Sequence, residues 1–331
     1  MAPEVDELYL PIHVLHLMLS SLPVKSMLRF KTVSKSWNAM ISDPVFVQIN
    51  LQKSNDSNSQ NLFLGRPYGA NDFKMFHLIK LQDGKFDFEA LVDCPYNLDI
   101  VLGYCDGVFL LSDSSYRTFL LWSPCNRRRA LLWLPYKFES SRVHYGLCHD
   151  PTVGEFKVVI VYGEYYRVFS CKDECWSEKK EFPYPNGSRS GSGLSMNGAF
   201  YWVWRDENEP HNEEIIYFDS EDDKFKISEK PNQVTPNHQM FLVCLRGHFC
   251  LYSRHGRTNK IDKIWIIDKN RAKNSWPREP LYFVENDIVI TLSIDARFEG
   301  FSICEKTRSE FEGWMHDLQL FPYVDSLFFP N

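Results

Sequence analysis

A chain of 331 residues exceeds what one hydrophobic core usually spans, so a small unit beside a larger one is expected. Hydrophobic residues make up 44% and charged residues 24%, the proportions of a globular chain, and a formal charge of −6 disfavours nucleic-acid binding, which needs a net basic face. Aromatics at 15%, with scattered Val and Ile, favour sheet over helix. Apolar runs such as Val108–Leu111 and Val158–Val161 are far shorter than a bilayer requires, so no membrane partner is expected. Met1–Glu7 lacks a basic signal n-region, and Ala2 stands where myristoylation needs glycine. Nine cysteines then read as reduced thiols of a cytoplasmic and/or nuclear protein.

In chain order, helix signals come first. Pro11 and Pro23 suit the first helical position, each opening an apolar-periodic run. Ser34 is placed as the N-cap of a helix over Lys35–Ile41, and Asp43-Pro44 stops it. The run after Pro11 holds Ile12, Val14, Leu15, Leu17, Met18 and Leu19, which cover more than one helix face. Either this segment docks on the rest of the chain or a partner completes it. Residues 1–51 are thus predicted as a helical module. Gln52–Asn61, ten polar residues, are predicted as an exposed linker, and residues 62–331 as a strand-rich domain.

The helical module carries Leu10-Pro11, then the unbroken run Leu22–Asn38, then Ile41–Phe46. This pattern resembles the plant F-box over about the first fifty residues, with many fixed positions in register. By that resemblance Leu10, Pro11, Val14, Leu22, Pro23, Leu28, Val33, Ser34 and Trp37 occupy adaptor-facing or F-box core positions. In the family they bind a Skp-type adaptor, which attaches to a cullin and, through it, to a RING subunit. Two departures are mild: His13 stands where an acidic residue is common, and Ser20-Ser21 replaces a bulkier pair.

The remainder repeats itself. An apolar strand, a polar turn and a second strand recur around the turn-opening residues Lys80, Ser123, Ser170, Asp219, Asp268 and Glu305, spaced 37 to 49 residues apart. That period suits a four-stranded propeller blade. Before four of the units lies a second hairpin: Val101–Ser112 around Asp106-Gly107, Tyr145–Tyr162, Leu194–Trp204 around Asn197-Gly198, and Phe241–Tyr252 around Arg246-Gly247. The fold class expected is mainly β with a small all-α N-terminal module, the β part approximating a six-bladed β-propeller whose first and last blades are degenerate. The competing reading is an irregular β-sandwich with coincidental spacing.

Gly103–Leu111, Leu121–Arg127, Gly146–Val159, Asn197–Trp202 and Ile216–Phe225 together resemble, in order and spacing, the F-box-associated, kelch-like domain of plant F-box proteins. The tail Leu318–Ser326 is similar to the end of the S-locus F-box subgroup, which would make the target a ribonuclease of the S-locus type. No cofactor is implied.

In a four-stranded blade the loop between strands two and three opens at the end opposite the tight turns. Those loops are Asp113–Thr118, Gly163–Tyr166, Arg205–Glu214 and Arg254–Asp262, charged and aromatic as a recognition surface requires. Candidate substrate-binding residues are Tyr116, Arg117, Tyr165, Arg205, Glu207, Glu209, His255 and Arg257. Asp206–Asp223 holds nine acidic residues and no Lys or Arg, whereas Arg254–Arg278 holds eight basic residues, a contrast that could orient a polar partner.

Motifs for chemistry are weak. Gly187–Gly191 has Arg189 at the nucleophile position of a Gly-x-Ser-x-Gly elbow and reads as a flexible inter-blade loop. Cys171 and Cys175 are too loosely spaced for a zinc knuckle, and packing explains His248 and Cys250 better than ligation. Asn186–Ser188 is a sequon without a secretory route. No catalytic or metal-binding residue is assigned; the F-box resemblance implies a non-catalytic substrate receptor of a Skp–cullin–F-box ubiquitin ligase, which brings an unknown protein to the ligase for ubiquitination and degradation. A propeller enzyme or glycan-binding propeller with an F-box-like cap, and an F-box scaffold acting outside the ligase, are the rivals.

Overall fold

The structure is a computed structural model. It describes residues 11–57, 61–65, 75–82, 85–93, 98, 100–113, 116–134, 143–150, 153–185, 187–208, 212–230, 238–245, 248–255, 261–266, 271–273, 280–284, 288–292, 298–302, 308–310 and 319–329.

Four helices open it: α1 (Ile12–Ser20), α2 (Val24–Phe30), α3 (Lys35–Ile41) and α4 (Pro44–Ser57). Pro11 and Pro23 stand one position earlier than expected, as N-caps. Proline's fixed φ suits the entry, and the Pro11 carbonyl accepts from the N–H groups of Val14 (2.9 Å) and Leu15 (3.2 Å). Ser34 caps α3, its hydroxyl accepting from the Trp37 N–H at 3.1 Å. Asp43 both follows α3 and starts α4, because its carboxylate accepts from the N–H groups of Val45 (2.9 Å) and Phe46 (3.2 Å).

The polar run is a correction: Gln52–Ser57 belong to α4, and Asn61 already opens a strand. Phe46, Val47, Asn50, Leu51 and Ser54 are buried at helical spacing, so one stripe carries the helix into the polar segment. Lys53 Nζ donates to Ser20 Oγ at 2.7 Å and ties α4 to α1.

Among the described residues the strands pair into six antiparallel sheets. The first contains β1 (Asn61–Gly65), β2 (Met75–Gln82) and β3 (Lys85–Asp93). The second is β4 (Ile100–Cys105), β5 (Val108–Ser112), β6 (Phe119–Ser123) and β7 (Arg128–Leu132). The third is β8 (Val143–Asp150), β9 (Glu155–Tyr162), β10 (Tyr165–Ser170) and β11 (Cys175–Trp176), with β12 (Lys180–Glu181) also paired to β10. The fourth is β13 (Gly187–Met196), β14 (Ala199–Asp206), β15 (Glu213–Asp219) and β16 (Lys224–Ser228). The fifth is β17 (His238–Leu245), β18 (His248–His255), β19 (Ile261–Ile266) and β20 (Arg271–Lys273). The sixth is β21 (Pro280–Val284), β22 (Ile288–Leu292), β23 (Phe298–Ser302) and β24 (Arg308–Glu310).

The last strand, β25 (Gln319–Pro322), returns to the first sheet and pairs with β1, Leu62 opposite Pro322 and Leu64 opposite Leu320. The degenerate first repeat is therefore completed by the C-terminal segment. Each repeat found in the sequence is the hairpin of strands three and four: Lys80 lies in β2, and Ser123, Ser170 and Asp219 end β6, β10 and β15. Asp268 and Glu305 fall outside the described residues, between β19 and β20 and between β23 and β24. Asp106 and Gly107 (φ 47 and 84), like Asn197 and Gly198 (φ 49 and 78), adopt the paired left-handed conformation of a two-residue hairpin turn. Arg246 and Gly247 are outside the described residues.

Neighbouring sheets bury apolar side chains between them. Val108, Leu110 and Phe119 pack with Leu147, Val158 and Ile160; Val159, Val161 and Val168 pack with Phe200, Trp202 and Phe218. Along the inside, β4 touches β8 and also β13, while β13 touches β17. Small residues permit this approach, since a side chain at Gly146 would meet the Phe200 ring at 2.8 Å. The stretch Gly187–Gly191 is thus part of inner strand β13 and not a flexible loop, its first glycine lying under Trp204. Ser195 Oγ donates to Cys105 Sγ across the same interior at 2.9 Å.

Candidate functional site

The helical module divides its apolar residues between two sides. Leu19, Val24, Met27, Ile41, Phe46 and Val47 are buried in one cluster with Phe76, Phe109, Trp122, Cys125 and Tyr323 of the sheet domain. Leu15, Leu22, Leu28, Phe30, Trp37 and Met40 pack against that cluster half-buried. Leu17 and Met18 are 61% and 55% exposed, and with half-buried Val14 they follow i, i+3, i+4 spacing on the other side of α1. Ile12, Val33 and Val45 are exposed too.

The nine residues taken from the F-box pattern therefore sort by role. Pro11, Pro23 and Val33 are exposed and Val14 is half-buried, whereas Leu22, Leu28 and Trp37 lean on the shared core. Ser34 caps α3, and Leu10 lies outside the described residues. Leu17, Met18 and Ile12 were visible as apolar in the sequence. Only the position of the sheet domain shows which of them it leaves uncovered.

Strand direction fixes where this module sits. Tight turns between strands one and two, and between three and four, share one end of the domain; loops between strands two and three occupy the other. The helices join β1 at the turn end and share their core with Cys125, in the turn between β6 and β7. The C-terminal segment crosses the same end. The Tyr323 ring stacks on Phe109 (6.1 Å), Ser326 is fully buried beside Gly107, and Phe328 lies 4.4 Å from the His149 ring. His149 Nδ1 is 2.8 Å from Asp106 Oδ2.

The loop end carries the candidate substrate residues. Tyr116, 40% exposed, holds a left-handed φ of 51 and stacks almost parallel on Tyr145 at 6.0 Å. Asp113 shapes that loop: its carbonyl accepts from the Tyr116 N–H (3.0 Å), and its carboxylate accepts from the Arg117 N–H (3.0 Å). Burial and then the Tyr116 phenol push the Tyr145 phenol well up, so it stays neutral. Arg117 is exposed. Lys179 Nζ sits 3.6 Å above the Tyr165 ring.

Arg205 has a different use from the expected one. It pairs with buried Glu213, donating from Nε to Oε1 at 3.0 Å and from its terminal nitrogen to the same oxygen. Glu213 Oε2 in turn accepts from the Met240 N–H at 2.6 Å, linking the fourth sheet to the fifth. Sequence reading could not see this, because the partners come from three strands. Glu207 is exposed; Glu209 and Arg257 lie outside the described residues, and His255 ends β18 opposite His238.

The acidic run Asp206–Asp223 is split between the two ends. Asp219 and Asp222 at the turn end pair with Lys226 (2.6 and 2.9 Å), and Asp223 pairs with Lys157 (2.9 Å). Burial, the largest single influence, lowers the Lys157 pKa, but the hydrogen bond and charge of Asp223 and the charge of Glu155 together outweigh it and the net shift is upward. At the loop end Glu214 pairs with Lys230 at 3.1 Å. This charge is largely used within the chain. Among the described residues no His, Cys, Asp and Glu side chains converge as a metal site, and no helix is long and apolar enough to cross a membrane.

Comparison with known proteins follows these divisions. The F-box domain model matches residues 8–48, and the model of the F-box associated beta propeller domain matches residues 70–309. An F-box/kelch-repeat protein of Arabidopsis thaliana is 26% identical over 81% of this chain and 78% of its own length. An F-box protein of the same plant is 25% identical over 82% of this chain and 72% of its own. Among solved structures, a chain of a nidogen/laminin complex aligns over 81% of this chain and 99% of its own. Its TM-score of 0.49 and 11% identity are too low for an argument. With both models matched in order, and the second covering well over half of the residues, this chain belongs to the F-box proteins that carry an F-box-associated β-propeller domain.

Proposed function

We propose that this chain is the substrate-recognition subunit of a Skp–cullin–F-box ubiquitin ligase, working in the cytoplasm or nucleus. The observation that carries the reading is the division of the F-box. One side is built into the propeller core, while exposed Leu17, Met18 and Val33, with half-buried Val14, offer apolar surface that a Skp-type adaptor would cover. Because the core is shared, the propeller is held to the adaptor by packed side chains. The loops at its far end are then presented at a fixed distance to a target protein.

The chain's contribution is positional. Binding a target at the loop end, around Tyr116, Arg117 and Tyr165, would raise the effective concentration of its lysines near the conjugating enzyme, leading to ubiquitination and proteasomal degradation. That step asks for no catalytic residue in this chain. The tail's similarity to the S-locus subgroup does not support a ribonuclease target, and the target stays a protein of unspecified class.

Titration of the full chain with a purified plant Skp-type adaptor tests the reading. Wild type should bind, and Leu17→Asp/Met18→Asp, which alters exposed positions only, should bind at least about a hundredfold more weakly while unfolding at the same temperature. A folded wild type that does not bind would overturn it.

A further inference from the structure

The F-box match, residues 8–48, holds four lysines and arginines against one aspartate, with Glu4, Asp6 and Glu7 just before it, in a chain of net charge −6. Residues 11–57 and the turn 124–130 together hold eight lysines and arginines against two aspartates. Three of the eight, Arg127, Arg128 and Arg129, belong to the propeller, in the turn between β6 and β7.

That turn is built. Arg127 adopts a left-handed φ of 57, a conformation uncommon for a residue with a side chain. Asn126 holds it, accepting from the Arg128 N–H at 2.9 Å and donating from its amide to the Phe328 carbonyl at 3.4 Å. The Arg128 guanidinium is fixed 4.9 Å above the Phe329 ring. Arg127 and Arg129, on either side, are exposed.

The turn abuts α2. Cys125 packs in one cluster with Val24 and Met27, and exposed Lys25 and Arg29 lie on the same helix. Lys31, just beyond α2, has its pKa lowered, first by burial and then by Arg128 beside it. Two cations are therefore held together at a place where like charges repel. Asp325 is the acidic group beside Cys125. Val33, 62% exposed, follows Lys31 by two residues, so this basic group borders the apolar adaptor face.

We infer that Arg127 and Arg129 of the propeller, with Lys25, Arg29 and Lys31 of the F-box, form a basic rim that receives an acidic segment of the adaptor, so that both domains contact it. The inference rests on the adaptor-binding reading above. An apolar centre with a charged border is the usual anatomy of such an interface, and border charges govern approach rate and salt dependence more than final affinity. The chain's acidic balance favours a protein segment over nucleic acid as the anionic partner.

The test is adaptor binding by the full chain at low salt and at about 500 mM salt, where exposed charges are screened within a few ångströms. Arg127→Gln/Arg129→Gln should weaken binding about five- to tenfold at low salt and match wild type at high salt. Arg127→Lys/Arg129→Lys, which keeps the charge, should restore most of the loss. Equal affinity of wild type and the glutamine variant at both salts would overturn the basic rim and leave adaptor binding standing. A loss that persists at high salt, or is not restored by lysine, would assign the turn a structural role and also overturn it. Failure of wild type to bind would remove both readings.

Discussion

The hydroxyl of Tyr104, near the end of β4, accepts a hydrogen bond from the backbone N–H of Val324 in the C-terminal segment at 3.0 Å. The same oxygen accepts from the Gly107 N–H at 3.2 Å. One phenol thus joins the inner strand of the second sheet, its hairpin turn and the segment that follows the strand closing the first sheet. Removing the hydroxyl leaves two backbone donors without their acceptor. Tyr104→Phe should lower stability by about 1–3 kcal/mol, read as a lower midpoint of urea unfolding. An unchanged midpoint would show that water replaces the phenol there.

Gly107 and Gly163 separate conformational strain from crowding. Both have positive φ, 84 and 58, so alanine is strained at either. A Cβ at Gly107 would lie 2.6 Å from Ser326 Cβ and 2.8 Å from the Val324 carbonyl oxygen, whereas at Gly163 it meets nothing within 4 Å. Gly163→Ala should cost about 1 kcal/mol, and Gly107→Ala clearly more, since the C-terminal segment must move. Equal costs would mean that this segment is not packed on the turn.

Much of this was legible because it is local. Asp106-Gly107 and Asn197-Gly198 announce hairpins through two adjacent left-handed residues, and the run Leu22–Asn38 carries its proline and serine caps in plain order. The repeat around Lys80, Ser123, Ser170 and Asp219 located the outer hairpin of each of those sheets. What was missed is long-range or averaged away. The pairing of β25 with β1 joins segments from opposite ends of the chain, and no local signal marks it. The polar composition of Gln52–Ser57 hid a buried helical stripe ending at Ser54. Arg205 looked like a free loop-end cation because Glu213 and Met240 meet it only in three dimensions.

That last relationship predicts a structural phenotype. Glu213 is 5% exposed, so Arg205→Ala leaves a buried carboxylate facing only the Met240 N–H. The variant should lose about 1–3 kcal/mol, discounted for the partial exposure of Arg205, and Arg205→Ala/Glu213→Gln should recover part of it. Thermal unfolding of the two variants checks this. A fully stable Arg205→Ala would return that residue to the candidates for target binding.

Cysteine reactivity offers a check on the packing. Cys105, Cys148 and Cys171 are buried, and burial pushes each thiol upward, so the reactive thiolate is both scarce and shielded. Cys175, at the start of β11, is exposed. Iodoacetamide labelling of the native chain, mapped by mass, should modify Cys175 well before those three. Comparable early labelling of Cys148 would contradict the close packing of the third and fourth sheets.

The central claim is that one end of the molecule is for the adaptor and the other is left free for a target. Hydrogen exchange of the full chain with and without a Skp-type adaptor reads both ends at once. Binding should slow exchange in α1 and in residues 31–35, and leave residues 116–118, 163–165 and 205–208 unchanged. Protection confined to those loops, or an F-box whose exchange the adaptor does not alter, would contradict the account.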